Sequence, residues 1–242
     1  MRFSLVVPAY NEARYLPRLL DSVDAALSRH RGGPSAVEVI VADNASTDDT
    51  GVLAAERGCR VVRVEKRAIA AARNGGARAA AGEIVCFVDA DMRLHPATFD
   101  RIDDVLAGGR VVAGATGVRP ERWSLGFAAT WALLIPLVVA TRMDTGVVFC
   151  RRADFESIGG YDETLLFAED VDLLLRLRRL GRTRGQRLTR MRGAKAIASV
   201  RKFDEHGEWH YFALVLRVAV SWLGLGRGAR EIAERYWYRP NR

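Results

Sequence analysis

The sequence predicts a protein of the α/β class, with a mostly parallel central sheet and helices on both of its faces. Short apolar runs bounded by turn residues alternate with stretches of helical period along residues 3–88, and this rhythm is typical of parallel sheets. The 242-residue chain is 49% apolar and 27% charged, which allows a substantial core and excludes wholesale disorder. Ligands of such sheets bind beyond the carboxyl ends of the strands, so we expect a site in the segments that follow the strands.

Seven elements account for residues 3–88, and three more are predicted beyond them. The first strand is apolar, the first helix has leucines on one face, and the third helix is rich in alanine. In chain order the seven are strand Phe3–Val7, helix Glu12–Leu27, strand Val37–Ala42, helix Asp49–Gly58, strand Arg60–Val64, helix Ile69–Ala81 and strand Ile84–Val88. The same patterns predict the strands Val111–Gly117 and Thr145–Cys150 and the helix Glu169–Leu180.

The cysteines and the N-terminus predict a reducing, cytosolic compartment. Cys59, Cys86 and Cys150 are odd in number and lack C-x-x-C spacing, which argues against a disulfide framework and against a thiolate zinc site. We expect three reduced, largely buried thiols. The chain opens with a basic residue and an apolar run, but this run is too short for a signal peptide.

The net charge of +8 conceals an asymmetry along the chain. Residues 1–172 carry 20 basic and 24 acidic side chains, whereas residues 173–242 carry 17 and 5, a net charge of +12. The acidic part suits cationic or metal chemistry, and the basic part predicts an anionic partner. Nucleic acid, an anionic membrane surface and a phosphorylated substrate all fit that charge.

Two apolar stretches are candidates for contact with a membrane, a partner or the core. Trp123–Thr141 has no charged residue over 19 positions, and a helix of that length would cross a bilayer at about 1.5 Å per residue. Such a span would separate the acidic segments near residues 90 and 170, so we expect a buried, dimer-forming or membrane-surface segment instead. Trp209–Leu225 is apolar and aromatic, and arginines follow it. This stretch fits either an interfacial helix on anionic lipid or a packed pair of helices.

A D-x-D pair, Asp89 and Asp91, follows the fourth strand. Alternation along an extended chain directs two such carboxylates to the same side, and carboxylate oxygens are ligands that Mg²⁺ and Mn²⁺ prefer. A cation held there would bridge a nucleotide diphosphate and neutralise a leaving phosphate. Acidic turns after strands are also common without any ligand, so both interpretations stand at this point.

Polar residues also follow the first and second strands. Asp43 ends the second strand, where its carboxylate either closes an Asx-type turn or accepts the imide N–H of a pyrimidine base. Tyr10 can pack beside a base or ribose, and Arg73 on the third helix is either a surface charge or a contact to nucleotide or phosphate. No G-x-G-x-x-G follows the first strand, which argues against a dinucleotide-binding turn.

Three acids, Glu169, Asp170 and Asp172, begin the last predicted helix. Acids at a helix N-terminus complement the helix dipole, and this explains one acid better than three. One of them can instead act as a general base toward an acceptor hydroxyl. Because the dipole lowers the pKa of a nearby carboxyl, we expect Asp170 to be ionised at neutral pH.

Together these segments resemble the family 2 glycosyltransferases of the GT-A fold, over roughly residues 3–182. Six pieces stand in the order of that family, and their combination is specific although each piece is weak. They are Val7–Glu12 (VPAYNE), Val41–Thr50 (VADNASTDDT), Ala72–Asn74 (ARN), Asp89–Asp91 (DAD), Gly159–Glu163 (GGYDE) and Glu169–Asp170. The resemblance implies a GT-A, Rossmann-like fold and the transfer of a sugar, with inversion, from a nucleotide-diphosphate sugar of the UDP-sugar type.

The resemblance also implies roles for individual residues. The nucleotide pocket would be lined by Pro8, Tyr10, Glu12 and Asp43. Asp91 would anchor Mn²⁺ or Mg²⁺ on the diphosphate, with Asp89 close to the ribose and the metal. Asp170 matches the catalytic base, Glu169 is the second choice for that role, and Asp172 is the third.

The resemblance thins beyond Leu180. We expect a GT-A domain over residues 1–203, with a nucleotide-sugar-binding half at 1–117 and an acceptor or catalytic half at 118–203, and a helical C-terminal tail at 204–242. Processive relatives carry Q-x-x-R-W, whereas this chain has Val200–Phe203 (VRKF), which predicts transfer of a single sugar. The apolar and basic tail favours a lipid-linked acceptor, reached from the cytoplasmic face of a membrane.

Two other functions compete with this interpretation. A sugar-phosphate nucleotidyltransferase has a related sheet, but such enzymes open with a Gly-rich, Arg-containing loop, and this chain has Pro8–Glu12 there. A non-enzymatic nucleic-acid-binding module would use the basic half, yet residues 176–202 contain no aromatic residue that could stack on a base. We therefore expect no nucleic-acid partner.

Overall fold

The computed structural model describes residues 1–141, 143–165, 168–191, 193–199, 201 and 209. Strands and helices alternate in the predicted order over the first part of the chain. In full they are β1 (Phe3–Ala9), α1 (Leu16–Leu27), β2 (Val37–Asp43), α2 (Thr50–Glu56), β3 (Arg60–Arg63), α3 (Ile69–Arg78), β4 (Ile84–Phe87), α4 (Thr98–Ala107), β5 (Val111–Ala115), β6 (Val118–Pro120), α5 (Leu125–Thr141), β7 (Val148–Arg151), α6 (Arg152–Ser157), α7 (Glu169–Thr183), β8 (Arg187–Arg190) and β9 (Ala196–Ala198).

Seven strands form the central sheet in the order β3-β2-β1-β4-β7-β5-β8. β7 runs antiparallel to its neighbours β4 and β5, and the other neighbouring pairs are parallel. The predicted α/β class and mostly parallel sheet are therefore confirmed. Ala9 pairs with Asp43, so the carboxyl ends of β1 and β2 lie side by side, with β4 on the other side of β1.

Helix α3 lies unusually close to the sheet. β1 and β4 are buried along their whole lengths, as expected for strands covered on both faces. A Cβ atom at Gly76 would come within 2.4 Å of Val6 Cγ1, so only a glycine permits this approach of α3 to β1. The same helix buries two polar side chains, Arg73 and Asn74, and holds them beside the sheet.

Several element boundaries differ from the prediction. α1 begins at Leu16 rather than Glu12, because Pro17 occupies its first turn and the Glu12 N–H is bonded outside the helix, to Thr50 Oγ1 at 2.8 Å. The strand predicted at Val111–Gly117 is interrupted, since Gly117 adopts a φ of 73° between β5 and β6. β7 starts three residues later than expected, and α7 continues past residue 180.

The apolar stretch Trp123–Thr141 is mostly helical and contains α5. Met1–Arg119 and Arg142–Ala198 form one compact unit, and Pro120–Thr141 belongs to another. Among the helices of the described ranges, none combines the length and apolarity needed to cross a bilayer. The predicted tail at 204–242 lies outside the described residues except for residue 209, and the division at 117, 203 and 204 stays a prediction.

All three cysteines are free, as the sequence predicts. Cys86 on β4 and Cys150 on β7 are buried, and Cys59 is partly buried. Burial raises the pKa of the Cys59 thiol to about 11, so this thiol is protonated at neutral pH and is a poor nucleophile.

Candidate active site

The candidate active site is organised around a buried arginine, Arg73, on α3. Its side chain is 4% exposed, and its Nη2 donates to Asp89 Oδ1 at 2.9 Å. Its Nη1 donates to Glu169 Oε1 at 2.7 Å and to Asp170 Oδ1 at 2.9 Å. A buried charge is costly unless it is paired, and here three carboxylates compensate it. Arg73 therefore joins the loop after β4 to the first turn of α7.

The first turn of α7 separates the three acids predicted there. Ala168 precedes the helix in the left-handed conformation, with a φ of 58°, and Glu169 and Asp170 both contact the buried guanidinium. Asp172 instead pairs with Arg176 one turn later, at 2.7 Å, a spacing that stabilises helices. The structure thus brings Glu169 and Asp170 together and leaves Asp172 in a pair within the helix.

Burial raises the pKa of Asp170 from the ordinary carboxyl range to about 6. The Arg73 charge and the hydrogen bond from Tyr161 lower this pKa, whereas the charges of Glu169 and Asp89 raise it. The expectation that the helix dipole lowers the pKa of Asp170 was therefore wrong in direction, because burial outweighs it. The carboxylate is still ionised above about pH 6, and a pKa near the working pH suits a general base.

Tyr161, in the turn before α7, contacts the same carboxylate. Its Oη donates to Asp170 Oδ1 at 2.8 Å, and its ring packs against Phe87 with 5.1 Å between centroids. The side chain of Asn74 bonds to the Tyr161 main chain at both N and O. The sequence places Tyr161 and Asn74 in two of the family's motifs and predicts a loop over the substrate at Gly159–Asp162, but it gives neither side chain a contact with the base. The sequence feature that could have indicated a role for Tyr161 is an aromatic residue directly after two glycines.

Asp89 and Asp91 lie on either side of the buried residue Ala90, in the loop after β4. The Asp89 side chain is 39% exposed, and Asp91 is partly exposed. Within the described part of the chain, no group of three acidic, histidine or cysteine side chains could hold a metal unaided. Two carboxylates fit a hard divalent cation whose remaining ligands are the oxygens of a bound diphosphate.

Asp43 ends β2 with a carboxylate that is almost fully buried. Its Oδ1 accepts the Ser46 N–H at 2.9 Å, and its Oδ2 accepts Arg63 Nη1 at 2.9 Å. Burial acts to raise the pKa of Asp43, but the hydrogen bonds from Ser46 and Arg63 outweigh it and hold the pKa below its ordinary value. The carboxylate is therefore ionised at neutral pH, and it closes the turn that follows β2.

The loops that follow β1 and β2 are bonded to each other. Asn11, at a φ of 53°, accepts the Thr47 N–H through Oδ1 at 2.8 Å, and Glu12 is bonded to the start of α2 as described above. Pro8 is buried within β1, and Tyr10 is the first residue after that strand. The structure therefore brings Pro8, Tyr10, Glu12 and Asp43 to one edge of the sheet.

A stacked arginine covers Tyr10. The guanidinium carbon of Arg67 lies 3.3 Å from the centroid of the Tyr10 ring, which is a cation–π contact. Sequence reasoning missed Arg67, because it belongs to the loop between β3 and α3, where no strand-end pattern drew attention to it.

The comparison with known proteins agrees with this architecture. The family model described as "Glycosyl transferase family 2" matches residues 4–154, more than half of the chain. The chain belongs to this family, and the predicted family and GT-A fold are thereby confirmed. The match supports neither a nucleotidyltransferase nor a nucleic-acid-binding module.

Curated relatives share part of their length with this chain. Pre-mycofactocin glycosyltransferase of Mycobacterium tuberculosis is 27% identical over 191 residues, which cover 72% of this chain and 38% of the relative. Undecaprenyl-phosphate 4-deoxy-4-formamido-L-arabinose transferase of Pseudomonas paraeruginosa is 33% identical over 156 residues, covering 60% of this chain and 42% of the relative. The chain thus spans less than half the length of either relative.

Solved structures share the fold at lower identity. Mannosyltransferase PcManGT of Pyrobaculum calidifontis, in complex with GDP-Man and Mn²⁺, has a TM-score of 0.70 at 22% identity, covering 97% of this chain and 69% of its own. Residues 1–349 of S. aureus TarS with UDP-GlcNAc give 0.63 at 22% identity, covering 82% and 58%. Glucosyl-3-phosphoglycerate synthase of Mycobacterium tuberculosis, with Mn²⁺, UDP and glucosyl-3-phosphoglycerate, gives 0.61 at 22% identity, covering 94% and 81%.

Proposed function

We propose that the protein transfers a single sugar from a UDP-sugar to an acceptor hydroxyl, with inversion at the anomeric carbon and with a divalent metal. The observation that carries the proposal is the Arg73 cluster, in which one guanidinium bonds both Asp170 and Asp89. In an inverting transfer the acceptor attacks the anomeric carbon from the face opposite the leaving diphosphate. Only one sugar ring separates the base from the groups that bind the diphosphate, so these groups must lie within a few ångströms of each other, as Asp170 and Asp89 do on one guanidinium.

The nucleotide pocket is assigned to Pro8, Tyr10, Glu12 and Asp43. In this proposal the ionised carboxylate of Asp43 accepts the imide N–H of uracil, and Tyr10 contacts the base or ribose from the neighbouring loop. The structural relatives described above are complexes with UDP, UDP-GlcNAc and GDP-Man. Because these relatives bind different nucleotides, the preference for UDP in this proposal rests on the contact between Asp43 and uracil.

Asp91, together with Asp89, is assigned to Mn²⁺ or Mg²⁺, because carboxylate oxygens suit these ions. Two of the structural relatives are Mn²⁺ complexes. When bound, the cation supplies neutralisation of the negative charge that develops on the leaving diphosphate. Arg73 lies beside Asp89 and is assigned to contact with nucleotide or phosphate.

Asp170 is the proposed general base. Its carboxylate takes the proton of the acceptor hydroxyl while the hydroxyl oxygen bonds to the anomeric carbon. The bond from that carbon to the diphosphate breaks, and the diphosphate leaves with the electron pair. Glu169 holds the Arg73 guanidinium at 2.7 Å and is the second choice for the base.

The acceptor is assigned to a lipid-linked molecule at the cytoplasmic face of a membrane. Residues 173–242 carry a net charge of +12, and Trp209–Leu225 is apolar and aromatic, a combination that favours peripheral contact with anionic lipid. One relative is named as an undecaprenyl-phosphate sugar transferase. On α5, Leu125 is 80% and Leu133 45% exposed, and lipid or a second copy in a homodimer would cover such residues.

A donor panel tests the proposed function. The protein is incubated with Mn²⁺, a polyprenyl-linked sugar that carries free hydroxyls and, in turn, UDP-glucose, UDP-galactose, UDP-GlcNAc and GDP-mannose, and release of the nucleoside diphosphate is measured. We expect release that depends on both acceptor and metal with one UDP-sugar, and a product whose anomeric configuration, read by NMR, is inverted. Turnover with GDP-mannose alone would overturn the donor assignment, and a product of retained configuration would overturn the mechanism.

A further inference from the structure

We propose that Tyr161 is a positioning residue for the general base. Its hydroxyl, together with Arg73, holds Oδ1 of Asp170, so that Oδ2 is the atom that receives the proton of the acceptor. The inference rests on the proposed function, because it presumes that Asp170 is the base. It adds a role for a residue that contacts neither donor nor acceptor in that proposal.

The two oxygens of Asp170 have different surroundings. Arg73 Nη1 donates to Oδ1 at 2.9 Å, and Tyr161 Oη donates to the same atom at 2.8 Å. Among the described residues, every hydrogen bond that the Asp170 side chain accepts ends on Oδ1. Exchange of the two oxygens by rotation would break both charge-assisted bonds. The side chain is 24% exposed, so part of it can be reached from outside.

The ring of Tyr161 is held rigidly, so its hydroxyl orients the carboxylate instead of following it. Tyr161 is 2% exposed. Its ring centroid lies 5.1 Å from that of Phe87 and 5.9 Å from that of Phe155, and the Arg73 guanidinium carbon lies 5.2 Å from it. Rotation of the ring out of this packing would open a cavity, which is costly in a close-packed core.

The main chain at Tyr161 is fixed by α3. Tyr161 N donates to Asn74 Oδ1 at 2.8 Å, and Asn74 Nδ2 donates to Tyr161 O at 2.9 Å. A Cβ atom at Gly160, where φ is 71°, would come within 2.7 Å of Asn74 Oδ1, so the turn approaches α3 only because this residue is a glycine. Two successive residues of α3 thus act on the base, Arg73 directly and Asn74 through Tyr161.

Four groups face the Asp170 carboxylate, each from a different part of the fold. Arg73 on α3 and the Tyr161 hydroxyl stabilise its ionised form, and Asp89 after β4 and Glu169 on α7 oppose it by repulsion. Loss of the hydroxyl leaves one guanidinium against two carboxylates. The protonated, inactive form of the base then persists to higher pH.

The test is the pH profile of kcat/KM for Tyr161→Phe, which keeps the ring and removes the hydroxyl. A hydrogen bond to a charged group is strong enough to move a pKa by about one unit, so we expect the acid limb to move from about pH 6 to about pH 7. At pH 6 the variant then runs at about one tenth of its own plateau, where the wild type runs at about half. The KM for the UDP-sugar should not change.

Thr164→Val is the matched control, because the Thr164 hydroxyl lies in the same turn but donates to Asp162 Oδ1, at 2.7 Å. Its profile should superimpose on that of the wild type. A Tyr161→Phe profile that also superimposes, or that falls by one factor at every pH, would overturn the positioning role while leaving the proposed function intact. Transfer by Asp170→Asn at the wild-type rate would instead remove the base itself.

Discussion

Replacing Asp170 by asparagine removes the basicity of this side chain and keeps its shape. The amide oxygen can still accept the hydrogen bonds that Arg73 and Tyr161 donate to Oδ1 at 2.9 and 2.8 Å, so we expect the fold and UDP binding to be retained. Transfer should fall by about 10²-fold or more, the usual contribution of general base catalysis. Initial rates of UDP release measure the fall in transfer, and calorimetric titration with UDP and Mn²⁺ measures the retained UDP binding.

The pKa of about 6 at Asp170 also sets the pH dependence. The base is active when ionised, and a raised pKa keeps it protonated below pH 6. The wild-type kcat/KM should therefore be about half maximal at pH 6 and about one tenth of maximal at pH 5. In Asp170→Asn the residual rate should lack this acid limb, because the group that titrates is gone.

Glu169→Gln and Asp172→Asn serve as controls on the same helix turn. Glu169→Gln weakens a contact to Arg73 at 2.7 Å and removes a charge that raises the pKa of Asp170, so it should keep most of the activity and move the acid limb below pH 6. Asp172→Asn affects the pair with Arg176 and should leave the acid limb near pH 6. An inactive Glu169→Gln or Asp172→Asn beside an active Asp170→Asn would refute the assignment of the base.

Three further predictions concern ligands. UDP should raise the melting temperature more with Mn²⁺ than with a chelator, since a ligand at 100 times its Kd adds about 2.7 kcal/mol to the free energy of unfolding, and Asp91→Ala should lose this metal increment; an unchanged increment would remove the metal assignment. Asp43→Ala should weaken UDP binding about tenfold or more, the loss expected for a hydrogen bond to a charged group, and equal affinities would exclude that contact. Liposomes with anionic lipid should sediment the protein at low salt and release it at high salt, and no sedimentation at low salt would place the acceptor in solution.

The strands around the candidate site were predictable because they are mostly apolar and mostly buried. β4 is a continuous apolar run, β1 is interrupted by Ser4 and β2 by Glu38, and the acids that end or follow β2 and β4 appear in the sequence itself. α4 was missed although Phe99, Ile102 and Leu106 lie on its buried face at helical spacing. β8 was missed because Arg187–Arg190 begins and ends with arginine, so the sequence pattern does not distinguish it from the basic residues around it.

The types of residue at the site were predictable, but their pairing was not. The sequence points to Asp89, Asp170 and Arg73 separately, and nothing in it indicates that one guanidinium contacts both carboxylates. The prediction of a lowered pKa for Asp170 was wrong for the same reason, because the burial of this carboxyl depends on the packing of α3 and α7 against the sheet. Helix dipoles are local and can be read from the sequence, whereas desolvation is a property of the folded chain.

The buried guanidinium of Arg73 also constrains how the chain folds. Its partners Glu169 and Asp170 lie 96 and 97 positions further along the chain, and contacts of such long sequence separation form slowly, because a large loop must close first. Until α7 docks, Asp89 is the one of the three carboxylate partners described above that is already present on this part of the chain, and the guanidinium lacks the other two counter-charges that its burial requires. A fragment of residues 1–117 should therefore fail to reach the native packing of α3, and the nucleotide-binding edge of the sheet should become native only when the second part of the chain has arrived.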